Sequence, residues 1–317
     1  MIFYFGGKAT EIAVTDRLFS VRVPEGNYDV TLTLIGPGEV SVKAEARRLV
    51  LEPTALRAGE SKTVRCTLNV RHPQLPSGES VRLKKDEQGH LDWDELLSFE
   101  FHCPPECLKA LRVELNTKAA TVYIAGDSTV TDQGKAPFAA WGQMLPRFFK
   151  PGIAIANHAE SGESLKSFVA ERRLAKIAST IRKGDYLFIQ FTHNDQKPGA
   201  SHAGKLINTL GEYPEAMRQL AKAESVALID LNAYSKTLFE ALGPELSKRA
   251  FVHTETFKDD THFSNYGAWL LAQCVVEALR TGTLPLKRQL AADTRPFDPA
   301  KPPTPESWRL PEAPLIH

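Results

Sequence analysis

The chain changes its hydrophobic period near residue 117, and that change limits the folds open to it. Before it, short segments alternate with period two: Phe19–Val23, Tyr28–Leu34, Thr63–Val70, Val81–Leu83, Phe99–Phe101 and Leu111–Leu115. Pro24-Glu25-Gly26-Asn27, Gly36-Pro37-Gly38 and Pro76-Ser77-Gly78 punctuate them as turns. Many short alternating strands with Gly/Pro turns predict an antiparallel β-sandwich, with Met1–Phe5 as its first strand. After residue 117, apolar runs alternate with amphipathic helices. The predicted strands are Val122–Ala125, Ile153–Asn157, Tyr186–Phe191 and Val226–Leu231. The predicted helices are Trp141–Phe149, Phe168–Arg182, Glu215–Ala223, Ala233–Leu242 and Tyr266–Arg280, the last capped by Ser264. Buried strands joined by helices imply a parallel sheet, which presents ligands beyond the carboxyl ends of its strands. The expected organisation is therefore a β-sandwich over 1–117, an α/β domain over 118–283 and a proline-rich tail over 284–317. That tail is expected to run extended over the surface, anchored by Trp308.

A net charge of +1 offers no electrostatic argument for nucleic acid or an anionic membrane. No apolar run is long enough to span a bilayer. Met1–Phe5 lacks a basic flank and the length of an export signal, which points to the cytoplasm; a chain already parted from such a signal would read the same. Four cysteines, Cys66, Cys103, Cys107 and Cys274, have no zinc-site spacing and are expected as free thiols.

Four strand ends carry chemistry. Gly126-Asp127-Ser128-Thr129-Val130 reads as a sharp turn bearing a serine, followed by a helix start. Strand two leads into Asn157-His158-Ala159-Glu160-Ser161-Gly162, strand three into Thr192-His193-Asn194-Asp195, and Asp259-Asp260-Thr261-His262 precedes the last helix. A serine needs a base to take its proton, and His262 is the candidate, with Asp259 three residues earlier to hold its other nitrogen. An acyl-transfer oxyanion needs fixed donors, which the N–H groups of Ser128 and Gly162 and the Asn194 amide would supply. Asp260 competes with Asp259 as orienter. Asp127 is read as a cap of the turn, and His158 and His253 as structural or surface residues. Trp141 and His193 are candidate substrate contacts; Trp141 has a core role as its alternative, and His193 the shaping of its turn.

These four blocks resemble those of the SGNH (GDSL-like) hydrolase superfamily. Gly126–Val130, Trp141-Gly142-Gln143, Thr261-His262-Phe263-Ser264, Tyr266-Gly267-Ala268 and the proline-rich tail are most similar to the rhamnogalacturonan acetylesterases, over about residues 119–310. The resemblance implies a flavodoxin-like three-layer α/β/α fold and a cofactor-free, metal-free serine esterase that removes acetyl groups from pectic polysaccharide. It assigns Ser128 as nucleophile, His262 as base, Asp259 as orienter, and Ser128, Gly162 and Asn194 as oxyanion donors. A general short-acyl esterase of the same superfamily, or a decayed glycan-binding protein, are the alternatives. The sandwich resembles jelly-roll modules found beside such esterases, and either binds glycan or walls the site.

One departure stands out. Gln196–Gly204 leads almost directly to Leu206–Gly211, so about one helix and one strand of the family pattern are missing. A lost interior strand leaves a ladder unpaired and apolar surface uncovered. Two outcomes are expected: Val226–Leu231 pairs beside Tyr186–Phe191, or a second copy of the chain covers the edge, giving a homo-oligomer.

Overall fold

The computed structural model describes residues 2–4, 13–14, 18–103, 105–191 and 210–311. Its first nine strands are β1 (Ile2–Tyr4), β2 (Ala13–Val14), β3 (Leu18–Arg22), β4 (Gly26–Ile35), β5 (Gly38–Ala44), β6 (Arg48–Leu56), β7 (Ser61–Val70), β8 (Leu96–His102) and β9 (Leu108–Leu115). They form two antiparallel sheets, ordered β1-β9-β4-β7 and β2-β3-β8-β5-β6. Alternation along the strands turns one side chain in two inward. Leu32, Leu34, Leu68 and Leu111 of the first sheet share one hydrophobic cluster with Phe19, Val42, Leu97 and Phe99 of the second. Each aliphatic side chain buried there contributes about 1.5–3 kcal/mol. Val81–Leu83, expected as a strand, is irregular. It belongs to a long connection between β7 and β8 that lies against the rest of the chain, and Arg82 donates its N–H to Glu171 O (3.0 Å) instead of to a ladder.

The second half begins with β10 (Ala120–Gly126), followed by α1 (Trp141–Met144), β11 (Ile153–Asn157), α2 (Leu165–Ala170), α3 (Arg173–Thr180) and β12 (Tyr186–Gln190). The remaining elements are α4 (Tyr213–Ala223), α5 (Leu231–Ser247), the hairpin β13 (Phe251–His253) and β14 (Lys258–Phe263), and α6 (Asn265–Thr281). Strands β11, β10 and β12 pair in parallel with β10 in the centre. Val122, Ile124, Ile155 and the apolar face of α6 build the main core on one side of this sheet, and Tyr123, Phe168 and Ile177 pack on the other. Ser264 caps α6 by accepting the Gly267 N–H, as its position predicts.

Two helical expectations are corrected. Phe168–Arg182 is broken at Arg172, which adopts a left-handed conformation (φ 65°) where the β7–β8 connection docks on the Glu171 carbonyl. No helix starts after Ser128: the Val130 carbonyl accepts from Asn157 Nδ2 (2.8 Å) instead of continuing a helical ladder, and α1 begins only at Trp141.

Val226–Leu231 is not a strand. Among the described residues it joins no ladder, Asp230 caps α5 by accepting the Ala233 N–H (3.0 Å), and Leu231 is already helical. β-Branched composition fits a pleated surface but does not create one without a neighbour. Among the described residues β12 is therefore an edge, with Ile189 58 % exposed and Val226 63 % exposed.

Part of the tail is described. Trp308 stacks on Trp269 at 4.6 Å, and both indole N–H groups donate to Glu52 Oε1 on β6. Cys103 and Cys107 form a disulfide, which corrects the free-thiol expectation for that pair, whereas Cys66 and Cys274 are free and buried.

Candidate active site

Gly126 ends β10 at a place where the chain cannot carry a side chain. A Cβ there would stand 2.6 Å from Gln190 O and 2.3 Å from Val130 Cγ1. The following turn is tied by Asp127, whose Oδ1 accepts the Thr129 N–H (2.9 Å) and the Thr129 hydroxyl (2.7 Å). Asp127 is thus a turn cap, as its position suggested. Gln133 Nε2 donates to Ser128 O (2.8 Å) from the far side of the loop.

Ser128 Oγ lies 2.9 Å from His262 Nε2, and His262 Nδ1 lies 2.7 Å from Asp259 Oδ2. The residues come from separate parts of the chain: a turn after the central strand and the β14 strand before α6. The other Asp259 oxygen accepts the backbone N–H groups of Thr261 (2.7 Å) and His262 (2.9 Å). One carboxylate therefore fixes both the loop and the ring it carries. Burial pushes the Asp259 carboxyl upward, but the donors from His262 and Thr261 outweigh it and hold the group below its ordinary range. Phe138 meets the imidazole edge-on at 5.8 Å, and Phe257 packs edge-on against Phe138 at 6.2 Å. This aromatic flank was not singled out from the sequence, where Phe138 and Phe257 are more than a hundred residues apart.

Asp260 pairs with His253 (2.7 Å), so the competing orienter is directed to another histidine. His158 is buried against Trp93 and Tyr123, and burial with several nearby cations keeps its ring well below the usual histidine range. Trp141 requires a correction: it is 4 % exposed, and its Nε1–H is spent on Gln190 Oε1 (2.9 Å). Gln190 in turn donates to Thr129 Oγ1 (2.6 Å), so the indole supports the serine turn from below. His193 and Asn194 lie outside the described residues.

Gly162 sits in the turn after β11 with φ +77°, a conformation that L side chains rarely adopt. Lys84 Nζ stands 3.6 Å from where its Cβ would be. The same ammonium donates to Ser161 O and pairs with the buried Glu163 carboxylate. Lys84 comes from the β7–β8 connection, far away in sequence.

The first half of the chain also builds the floor of the serine turn. Arg48 Nε donates to Asp132 Oδ2 (2.7 Å), and Asp132 Oδ1 accepts from Asn157 Nδ2 (2.9 Å). Gln143 Nε2 donates to Ala46 O (2.6 Å) and Gln133 O (2.9 Å), while Arg47 donates to the carbonyls of Gln133 (3.1 Å) and Phe138 (2.7 Å). The β5–β6 turn therefore holds the loop that holds Ser128. The sequence offered only Arg47-Arg48 beside an unassigned turn, with no local pattern to point across the fold.

A ring nitrogen thus faces the Ser128 hydroxyl and a carboxylate faces the opposite nitrogen, an arrangement that can activate a serine. Comparison with known proteins gives the same direction. Residues 122–248 match the family described as GDSL-like lipase/acylhydrolase. A rhamnogalacturonan acetylesterase of Bacillus subtilis, RhgT, is 40 % identical over 222 residues, covering 55 % of this chain and 96 % of its own length. A probable rhamnogalacturonan acetylesterase of the same organism, YesY, is 32 % identical over 209 residues, covering 53 % of this chain and 96 % of its own. A third Bacillus subtilis protein, the uncharacterized esterase YxiM, is 24 % identical over 310 residues, covering 84 % of this chain and 75 % of its own length. The chain belongs to the GDSL-like (SGNH) hydrolase family, close to the rhamnogalacturonan acetylesterases, and is a carboxylic ester hydrolase.

Proposed function

We propose that this hydrolase removes O-acetyl groups from pectic polysaccharide, with Ser128 as nucleophile, His262 as general base and Asp259 as its orienter. The observation that carries the reading is the relay from Ser128 Oγ to His262 Nε2 (2.9 Å) and from His262 Nδ1 to Asp259 (2.7 Å). The names of RhgT and YesY support acetyl removal from a pectic sugar.

In the acylation step Ser128 Oγ bonds to the acetyl carbonyl carbon while its proton passes to His262 Nε2. The carbonyl oxygen becomes an oxyanion, received by the N–H groups of Ser128 and Gly162 and the Asn194 amide. The intermediate expels the sugar oxygen, which takes the proton from His262, and acetyl-Ser128 remains. Water then attacks under the same base and acetate leaves. Asp259 stays ionised throughout and holds Nδ1 protonated, so that Nε2 is free to accept.

The two antiparallel sheets read as a sandwich over 1–117 whose role is architectural: its β5–β6 turn and β7–β8 connection support the catalytic loops. The hydrolase domain then spans 118–283, and the tail 284–317. The exposed β12 edge supports assembly with a second copy. A strictly monomeric sedimentation profile at micromolar concentration counts against that assembly.

Acetate release from acetylated pectin fragments tests the function. Wild type releases acetate, and Ser128→Ala loses several orders of magnitude in rate. Equal release by both proteins removes Ser128 from the mechanism. Faster cleavage of longer nitrophenyl acyl esters than of the acetate redirects the reading to a general esterase.

A further inference from the structure

The Ser161–Gly162 peptide has two ends, and a residue from the other half of the chain grips one of them. Its carbonyl, Ser161 O, accepts from Lys84 Nζ. Its N–H belongs to Gly162, the donor assigned to the oxyanion under the reading above, on which this inference rests. Carbonyl and N–H point to opposite sides of one rigid peptide plane. A donor that fixes the carbonyl therefore fixes the direction of the N–H.

The geometry points to Lys84 as a positioning residue of the oxyanion site, which aims the Gly162 N–H by holding and polarising the carbonyl of the same peptide. The flip that Lys84 opposes would turn a carbonyl oxygen toward the developing negative charge. Gly162 is the residue at which such a flip is easiest, because it has no Cβ to restrict it and already sits at φ +77°. Hydrogen bonding at a carbonyl also strengthens the N–H of the same amide as a donor.

Lys84 is itself held from both ends. Its backbone N–H donates to Glu87 Oε2 (2.8 Å), and Glu87 grips the fully buried Arg173 at the start of α3. Its ammonium pairs with Glu163, whose other oxygen accepts the Ser167 hydroxyl (2.7 Å) inside the capping box of α2. The side chain is 27 % exposed, so the ammonium is partly shielded from solvent where it holds the Ser161 carbonyl. An ordinary ion pair with Glu163 would need neither the Ser161 carbonyl nor the close approach to Gly162.

The test separates aiming from mere charge compensation. Lys84→Met leaves Glu163 buried without its cation, so it is paired with the double variant Lys84→Met/Glu163→Gln, in which both charges are gone. Nitrophenyl acetate hydrolysis, phosphonylation by a fluorophosphonate and thermal melting are measured on each. Removing an oxyanion donor outright costs about 10²–10³ in kcat, and a misaimed one should cost about tenfold to a hundredfold. The expected result is that loss in kcat and in the phosphonylation rate for both variants, with KM little changed, wild-type melting in the double variant, and partial recovery in Lys84→Arg. A double variant that melts like wild type and keeps kcat within about threefold overturns the proposal, as does a loss confined to KM. Wild type no faster than Ser128→Ala overturns the triad reading, and this inference with it; that failure shows in the controls before any Lys84 variant is compared.

Discussion

Replacing Asp259 by asparagine tests the relay at a point where the structure dictates how the new side chain must sit. The carboxylate accepts two backbone N–H groups, from Thr261 (2.7 Å) and His262 (2.9 Å), on one oxygen and faces His262 Nδ1 (2.7 Å) with the other. An asparagine in that place has one acceptor and one donor end. The two backbone donors require the amide oxygen on their side. The NH2 group then faces Nδ1 and makes that nitrogen an acceptor, which moves the ring proton to Nε2. An N–H now points at Ser128 Oγ, and the imidazole cannot take the serine proton. A wrong tautomer in a triad of this kind costs about 10⁴ in kcat, or about 5.5 kcal/mol of activation free energy. Because the backbone donors keep their acceptor, the melting temperature should move little. Steady-state hydrolysis of nitrophenyl acetate with Asp259→Asn, beside Asp260→Asn, reads the effect. Asp260 faces His253 (2.7 Å) and should leave kcat near wild type. More than about a tenth of wild-type kcat in Asp259→Asn would refute the tautomer argument. The pH sign agrees: an acid whose folded pKa is depressed keeps its stabilising charge above the unfolded value and loses it only as pH falls through the folded one. Asp259 therefore stays ionised across the neutral range, and the acid limb of activity does not belong to it.

Three further outcomes are expected. Arg48→Met strands the buried Asp132 carboxylate and should cost about 3–5 kcal/mol in denaturant unfolding, with much of it restored by adding Asp132→Asn; an unchanged midpoint would sink this. Burial first, then the nearby Glu87 charge, pushes the Glu160 carboxyl up to about 9, so folding opposes its ionisation and stability falls as pH rises from the ordinary carboxylate range toward that value. Glu160→Gln should melt with wild type near pH 4 and above it near pH 9, and a gap that shrinks with rising pH would contradict the assignment. Thiol titration of the unfolded, unreduced chain should count only Cys66 and Cys274, with Cys103 and Cys107 appearing after reduction.

The legible parts of this chain are those whose physics is local. Ser128 follows an apolar strand and sits in a turn tied by its neighbour Asp127. Asp259 and His262 are three residues apart, and both lie on β14, so their pairing is written in the spacing. Ser264 stands one residue before α6 and caps it. The parts that were not legible depend on what lies opposite. Val226–Leu231 has strand composition, yet Asp230 is spent on capping α5 and on Arg218, and no ladder among the described residues receives the segment. Lys84, Ala46 and Arg48 are distant in sequence from the loops they hold, and nothing in their neighbours announces those contacts. Trp141 had two readings from composition, and only the position of Gln190 separates them.

Those long-range contacts decide whether the hydrolase half can stand alone. Leu49 of β6 lies in the same buried cluster as Val122, Ile124 and Trp269, so its removal opens the main core. Asp132 would lose Arg48 and Lys176 would lose Glu25, each at a nearly inaccessible site, while Arg173 would lose Glu87 and keep only Glu171 as an ion-pair partner among the described residues. A buried charge stripped of its partner destabilises by several kcal/mol, which is comparable to the whole stability of an ordinary domain. The loops that suffer first are the serine turn above Ala46 and Arg48 and the Gly162 turn beside Lys84. Expression of residues 118–317 alone should therefore give a chain that binds hydrophobic dye and labels poorly with a fluorophosphonate. A truncated chain with cooperative melting and wild-type labelling would show instead that the serine turn is held from within its own half.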